Sequence, residues 1–230
     1  MGEDNSFQGY SQGTVDFLWD LRFHNERSWF QAHKEEFIAL VDTPTRTLSA
    51  QLAREMTAAF PKLGLEPKVS RIYRDARRLF GRGPYKDHLW FSLRKPGEHD
   101  GSIPCFWFEV APDRYGYGMG CWDMPPVTMA KLRARIDRDP KPVERLARAV
   151  NRRGEFVLDG ELYKRPKGDP GKLLFPWYNC RQFSLSCLRN CEGVFFTPEL
   201  AGLVLEGWRS LVPVYRWLCS LPGDPPPEEQ

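Results

Sequence analysis

Residues 103–110, IPCFWFEV, constrain the fold more than any other stretch of the chain. Successive side chains on a strand point to opposite faces. Ile103, Cys105 and Trp107 therefore share one face and Phe106, Phe108 and Val110 the other, so both faces are apolar. Such a strand has to be covered on both sides, which is the position of a central strand. Pro104 has no N–H to donate, so regular pairing is expected only after it. The next stretch, RYGYGMGCW, reads as a second strand in which Gly116, Gly118 and Gly120 line one face and Tyr115, Tyr117, Met119 and Cys121 the other. A bare face of this kind admits a packed element or a ligand close to the backbone.

Around these strands the pattern is helical at the beginning, middle and end of the chain. Thr14 is a plausible N-cap for a helix carrying Phe17, Leu18 and Leu21. Trp29, Phe30, His33 and Phe37 mark a second helix, which Pro44 is expected to break before a third carries Leu48, Leu52 and Met56. Residues 128–138 and 141–153 read as amphipathic helices with apolar positions Met129, Leu132 and Ile136, then Val143, Leu146 and Val150. Asp159-Gly160 is a two-residue hairpin signal between 156–158 and 162–163, and 182–188 alternates as a strand. Thr197-Pro198 opens a last helix, expected to be interrupted near Pro213 and to end by Leu221. The expected class is α+β. A central, mostly antiparallel sheet carries N-terminal, middle and C-terminal helices in one domain over 14–221, with disordered tails at 1–13 and 222–230.

Charge is concentrated in RIYRDARRLFGRGPYKDH, residues 71–88. Residues 71–86 hold six basic side chains against the single acid Asp75, although the whole chain is only +3. Val69, Ile72 and Tyr73 favour an extended chain, and Gly81, Gly83 and Pro84 a turn, so the stretch reads as a strand entering a loop. Arginine keeps its charge, and each guanidinium has to reach a carboxylate, a carbonyl, solvent or a bound anion. Two readings follow. In one, Arg71, Arg74, Arg77, Arg82, Tyr85 and Lys86 form a phosphate or carboxylate site, with Asp75 as the candidate catalytic residue. In the other, acids such as Glu109 or Asp123 complete a structural ion-pair network.

The same residues resemble a bacterial family, domain of unknown function 2461, whose hallmark is close to RxxRDxRFxx[DN]KxPYK. Arg71, Arg74, Asp75, Arg77, Pro84, Tyr85 and Lys86 match in register, and Arg82 stands in for the lysine. The departures are Arg78 for Phe and Gly81 for Asp or Asn. Asn25, Trp29, Phe30, His33 and Lys34 look like the family's N-terminal N..WF..HK signature, and Leu211, Pro213 and Leu218 resemble its closing helix. The resemblance spans Val15 to Leu221. It implies one domain of mixed helix and strand and brings no activity with it.

No G-x-S-x-G, P-loop or H-E-x-x-H is present, so the strongest signals for a serine hydrolase, a P-loop enzyme or a zinc peptidase are absent. Six cysteines in a chain without an export signal are expected as free thiols, and the Cys180, Cys187 and Cys191 cluster lacks a metal-ligand spacing, so no metal is assigned. No cofactor is indicated. No apolar run reaches the length of a membrane span, and a cytoplasmic protein is expected. The partner expected first is an anionic small molecule, with a phosphorylated one as the candidate substrate. Residues 126–153 hold nine basic and three acidic side chains, with Arg145, Arg148 and Arg152 on one helical face. They carry the alternative, a non-catalytic module binding a protein or nucleic acid.

Overall fold

A computed structural model describes residues 6–75, 77, 79, 81–97 and 102–225. Strands β1 (Glu66–Val69), β2 (Leu89–Arg94), β3 (Cys105–Val110), β4 (Tyr115–Cys121), β5 (Val157–Leu158) and β6 (Phe183–Arg189) form an antiparallel sheet in the order β1-β2-β3-β4-β6-β5. β3 is an inner strand that begins after Pro104, and Phe106, Phe108 and Val110 are fully buried. Among the described residues the α-helices are α1 (Gln12–Phe23), α2 (Arg27–Ala32), α3 (Lys34–Phe37), α4 (Thr43–Ala59), α5 (Pro126–Arg138), α6 (Lys141–Arg153), α7 (Phe175–Asn179) and α8 (Glu199–Ser220). The class is α+β. Two compact units are distinguished: one holds the chain to Arg94 with Trp107–Tyr117 and Leu188–Glu206, and the other holds Lys95–Phe106, Gly118–Cys187 and the chain from Gly207.

In the first unit, the helix expected from Thr14 starts earlier, because Ser11 is its cap. The Ser11 hydroxyl accepts from Thr14 N, and the Thr14 hydroxyl accepts from Ser11 N. The tail expected to be disordered over 1–13 is packed from Phe7 onward; residues 1–5 lie outside the described residues. Phe7 and Tyr10 are buried, and the Tyr10 ring stacks on Phe195 at 4.8 Å. Burial of these two rings overrides a locally polar composition. Pro44 does not break the helical run either. α3 passes through a π-turn at Ile38–Asp42 into α4, and the Leu40 carbonyl, four residues before Pro44, accepts from the Thr14 hydroxyl at 2.7 Å in place of the N–H that proline lacks. α4 packs on β1 and β2, with Leu48, Leu52 and Met56 buried.

In the second unit, α5 and α6 bury Met129, Leu132, Ile136, Val143 and Val150; Ala147 takes the buried position expected of Leu146. The Asp159-Gly160 hairpin does not form. β5 pairs with β6 instead, Val157 opposite Ser186 and Leu158 opposite Leu185, while Leu162 bridges Cys180. Two such short strands cannot hold each other, whereas β6 offers Val157–Leu158 a longer partner. The bare face of β4 is taken up by strand packing: a Cβ on Gly118 would lie 2.0 Å from the Leu185 carbonyl oxygen. α8 runs unbroken through Pro213, with Leu211, Val212, Val214 and Tyr215 buried around it. That burial outweighs the roughly 3 kcal/mol an interior proline costs. The expected C-terminal tail is also tied at its start, because the Arg135 guanidinium reaches both Asp224 oxygens at 2.6 Å. Residues 226–230 lie outside the described residues.

Candidate functional site

All the residues of the site lie in the first unit. The described residues from Ser70 to His88 form a loop closed on itself, not the strand expected beyond Val69. Tyr73 and Tyr85 form an antiparallel bridge, Arg74 N donates to Pro84 O at 2.8 Å, and Lys86 N donates to Ile72 O at 2.8 Å. On the edge that faces away from Tyr73, the Tyr85 peptide group meets Asn25. Its side chain accepts from Tyr85 N at 2.9 Å and donates to Tyr85 O at 3.0 Å, occupying the groups a strand partner would use. Gly83 makes room for it, since a Cβ there would lie 2.2 Å from Asn25 Oδ1. The Tyr85 ring is buried and stacks on Phe30 at 4.1 Å.

Part of the motif is tied down by charge. Arg74 donates through Nε to Tyr85 O at 2.7 Å and through a terminal nitrogen to Asp87 at 3.4 Å. Asp87 also accepts from Arg22 Nε at 2.6 Å and lies 3.2 Å from His88 Nδ1. Burial raises the Asp87 pKa, but the hydrogen bonds from Arg22, His88 and its own backbone prevail and hold it below the ordinary carboxylate value. Arg22 extends towards Asp113 at 3.8 Å. The carboxylates that neutralise this half are therefore Asp87 and Asp113, not Asp123. Asp75 lies apart from this group as an exposed residue hydrogen-bonded by Arg77, at 2.7 Å from a terminal nitrogen and 3.0 Å from Nε.

The rest of the motif lacks such partners. Among the described residues, the side chains of Arg71, Arg82 and Lys86 make no hydrogen bond or ion pair, and Arg71 and Arg82 are exposed. Lys86 is half-buried, its Nζ 5.7 Å from the centre of the Trp90 ring. Burial, with Arg74 and Arg71 nearby and only Glu109 opposing, pushes its pKa down to about 8. Glu109 Oε2 also lies 3.9 Å from His88 Nε2.

Beside the loop is a cleft of about 300 Å³, lined by Arg27 and Gln31 of α2 and by Tyr73, Arg74, Pro84 and Tyr85 of the loop, with Leu79. Its described charged residues are the two arginines, and no described acid lines it. Of the six residues expected to bind an anion, Arg74 and Tyr85 line the cleft, Lys86 is half-buried outside that lining, and Arg71, Arg77 and Arg82 are exposed outside it. Arg27 and Gln31 escaped the sequence reading. Their i, i+4 spacing on a helix was the available signal, because it puts both on one face. His33 of the N-terminal signature has Nδ1 2.8 Å from Trp29 O and stacks on the Trp29 ring.

The model of a family of conserved hypothetical proteins, DUF2461, matches residues 13–217. The chain belongs to that family. The search of curated proteins finds no match. Within the DUF2461 span, two residues of the N-terminal signature, Asn25 and Phe30, meet the same residue of the loop motif, Tyr85. Gly81, which replaces an Asp or Asn in the DUF2461-like pattern, has φ +77°. Glycine, asparagine and aspartate are the residues that best tolerate that backbone region, so the exchange keeps the turn. Arg78, the other departure, lies outside the described residues.

Elsewhere, all six cysteines are free thiols, and burial pushes Cys180 and Cys191 up to about 12, where thiolate chemistry is suppressed. No group of three or more His, Cys, Asp or Glu able to hold a metal is found among the described residues. No described helix is long and apolar enough to cross a membrane. On α6, Arg145, Arg148 and Arg152 are exposed, and Arg148 already pairs with Glu144 at 3.0 Å.

Proposed function

We propose that this protein recognises a small anion, a phosphate or carboxylate compound, in the cleft between α2 and the loop. The supporting observation is the cleft's charge: Arg27 and Arg74 line it and no described acid does. Guanidinium groups match phosphate and carboxylate oxygens in pairs, and Arg74 is preorganised by its bonds to Tyr85 O and Asp87. Arg71 and Lys86 add positive potential from outside the lining, while the half-exposed Tyr73 ring offers a surface for an organic body. A phosphorylated small molecule fits this combination of charge and aromatic wall. Asp75, held by Arg77 away from the cleft, is not part of this reading.

The test is thermal unfolding against phosphate, nucleotides, sugar phosphates and dicarboxylates at matched ionic strength. A ligand at about ten times its Kd adds about 1.4 kcal/mol, a shift of about 3 °C for a protein of this size. The shift should vanish in Arg27→Ala, which keeps the loop intact. Retention of the shift in Arg27→Ala overturns the assignment. The alternative, a nucleic-acid- or protein-binding module on α5 and α6, would appear as salt-sensitive binding lost on charge reversal at Arg145 and Arg148.

A further inference from the structure

Lys86 is unlike the other fixed cations of the loop. Arg74 and Arg77 each have a carboxylate partner, whereas the Lys86 amine is drawn half out of solvent with no hydrogen-bonding or ionic partner among the described residues. Its Nζ lies over the face of the Trp90 indole, 5.7 Å from the ring centre, and the charges that act on it are those of Arg74 and Arg71, opposed by Glu109. A lysine that is partly desolvated beside other cations is the arrangement that turns an ammonium into a nucleophilic amine at neutral pH. His88, two residues on in the chain, lies between Asp87 at 3.2 Å and Glu109 at 3.9 Å, an imidazole with two carboxylates that can carry protons.

We propose that Lys86 is a carbonyl-reactive amine that condenses with a 2-oxo acid whose carboxylate is held by Arg74 and Arg71. This deepens the anion-recognition reading and rests on it for the carboxylate. The neutral Nζ adds its electron pair to the carbonyl carbon; the C–N bond forms as the C=O π bond opens, and one N–H proton passes to the oxygen, giving a carbinolamine. Nitrogen then loses its remaining proton and the hydroxyl leaves as water, giving the imine. One amine and one carbonyl give one imine and one water, with no oxidant or reductant. His88 is a positioning and proton-carrying group in this scheme. The depressed Lys86 pKa supports it, since at pH 7 an amine titrating at about 8 is about one-tenth neutral, against less than about one part in a thousand for an ordinary lysine.

The experiment uses the full chain, pyruvate as the oxo acid, acetaldehyde as a carbonyl without an anion, and cyanoborohydride to reduce the imine to a stable secondary amine. Peptide mapping reads the adduct at each lysine. The expected result with pyruvate is at least about tenfold more labelling at Lys86 than at any other lysine. Its rate should rise with pH to a midpoint near 8. Excess phosphate should suppress it. Uniform labelling across the lysines overturns the inference, as does preferential labelling of Lys86 by acetaldehyde but not by pyruvate. Because the wild type supplies the result, no variant has to fold; Lys86→Arg, checked by its melting temperature, confirms the mapped position. Phosphate binding without preferential labelling defeats only this inference. Absence of a thermal shift with every anion defeats the anion reading, whatever acetaldehyde does.

Discussion

The side-chain amide of Asn25 forms both hydrogen bonds of the Tyr85 peptide group, accepting from its N–H at 2.9 Å and donating to its carbonyl at 3.0 Å. It acts as a one-residue strand. It pairs the edge of Tyr85 that faces away from Tyr73, and it holds Tyr85 where Phe30 and Arg74 meet it.

Asn25→Ala is expected to lose about 2–4 kcal/mol of stability in urea unfolding, because it removes two hydrogen bonds and leaves the Tyr85 N–H without its acceptor. Asn25→Asp keeps the acceptor and loses the donor, so it should fall between. Equal stability for Asn25→Ala and wild type would remove Asn25 as the organiser of the loop.

Arg27 and Arg74 should separate under the same assay. Arg27 makes no hydrogen bond or ion pair with a described residue, so Arg27→Ala should change stability by less than about 0.5 kcal/mol while abolishing the anion-dependent thermal shift. Arg74→Ala should also lose stability, by about 1–3 kcal/mol, since Tyr85 O and Asp87 lose a donor.

Asp87 has a folded-state pKa below its unfolded value, so its contribution is fully present above the unfolded value, roughly 3.9, and is lost as pH falls through the folded one. Asp87→Asn should be less stable than wild type at pH 7, and the difference should shrink as pH is lowered from about 5 towards 3. Denaturant midpoints of both proteins across that range are the measurement. A difference independent of pH would contradict the charge assignment.

Two glycines give opposite expectations. Gly118→Ala places a Cβ 2.0 Å from the Leu185 carbonyl oxygen, backbone that cannot yield, and should cost more than about 3 kcal/mol. Gly202→Ala, inside α8 with nothing within 4 Å of the new carbon, should gain about 0.5–1 kcal/mol. Melting temperatures of the two variants decide both.

Much of this protein is written in local pattern. The doubly apolar face alternation of Ile103–Val110 places an inner strand, and the spacing of Met129, Leu132 and Ile136 places α5 within two residues, because burial period and backbone geometry are properties of a few neighbouring residues. The concentration of charge around Arg74 and Lys86 is equally visible. Tertiary contact alone decided how that charge divides. Asp87 draws its partner from Arg22, 65 positions away, leaving Lys86 unpaired among the described residues, and Arg27 and Gln31 of α2 complete a cleft that the loop only half builds. The same holds where local signals failed: β5 leaves its hairpin for β6, and Pro213 stays within α8. A sequence shows which groups need partners, but whether a partner arrives depends on long-range packing, whose energies exceed the local preferences that can be read along the chain.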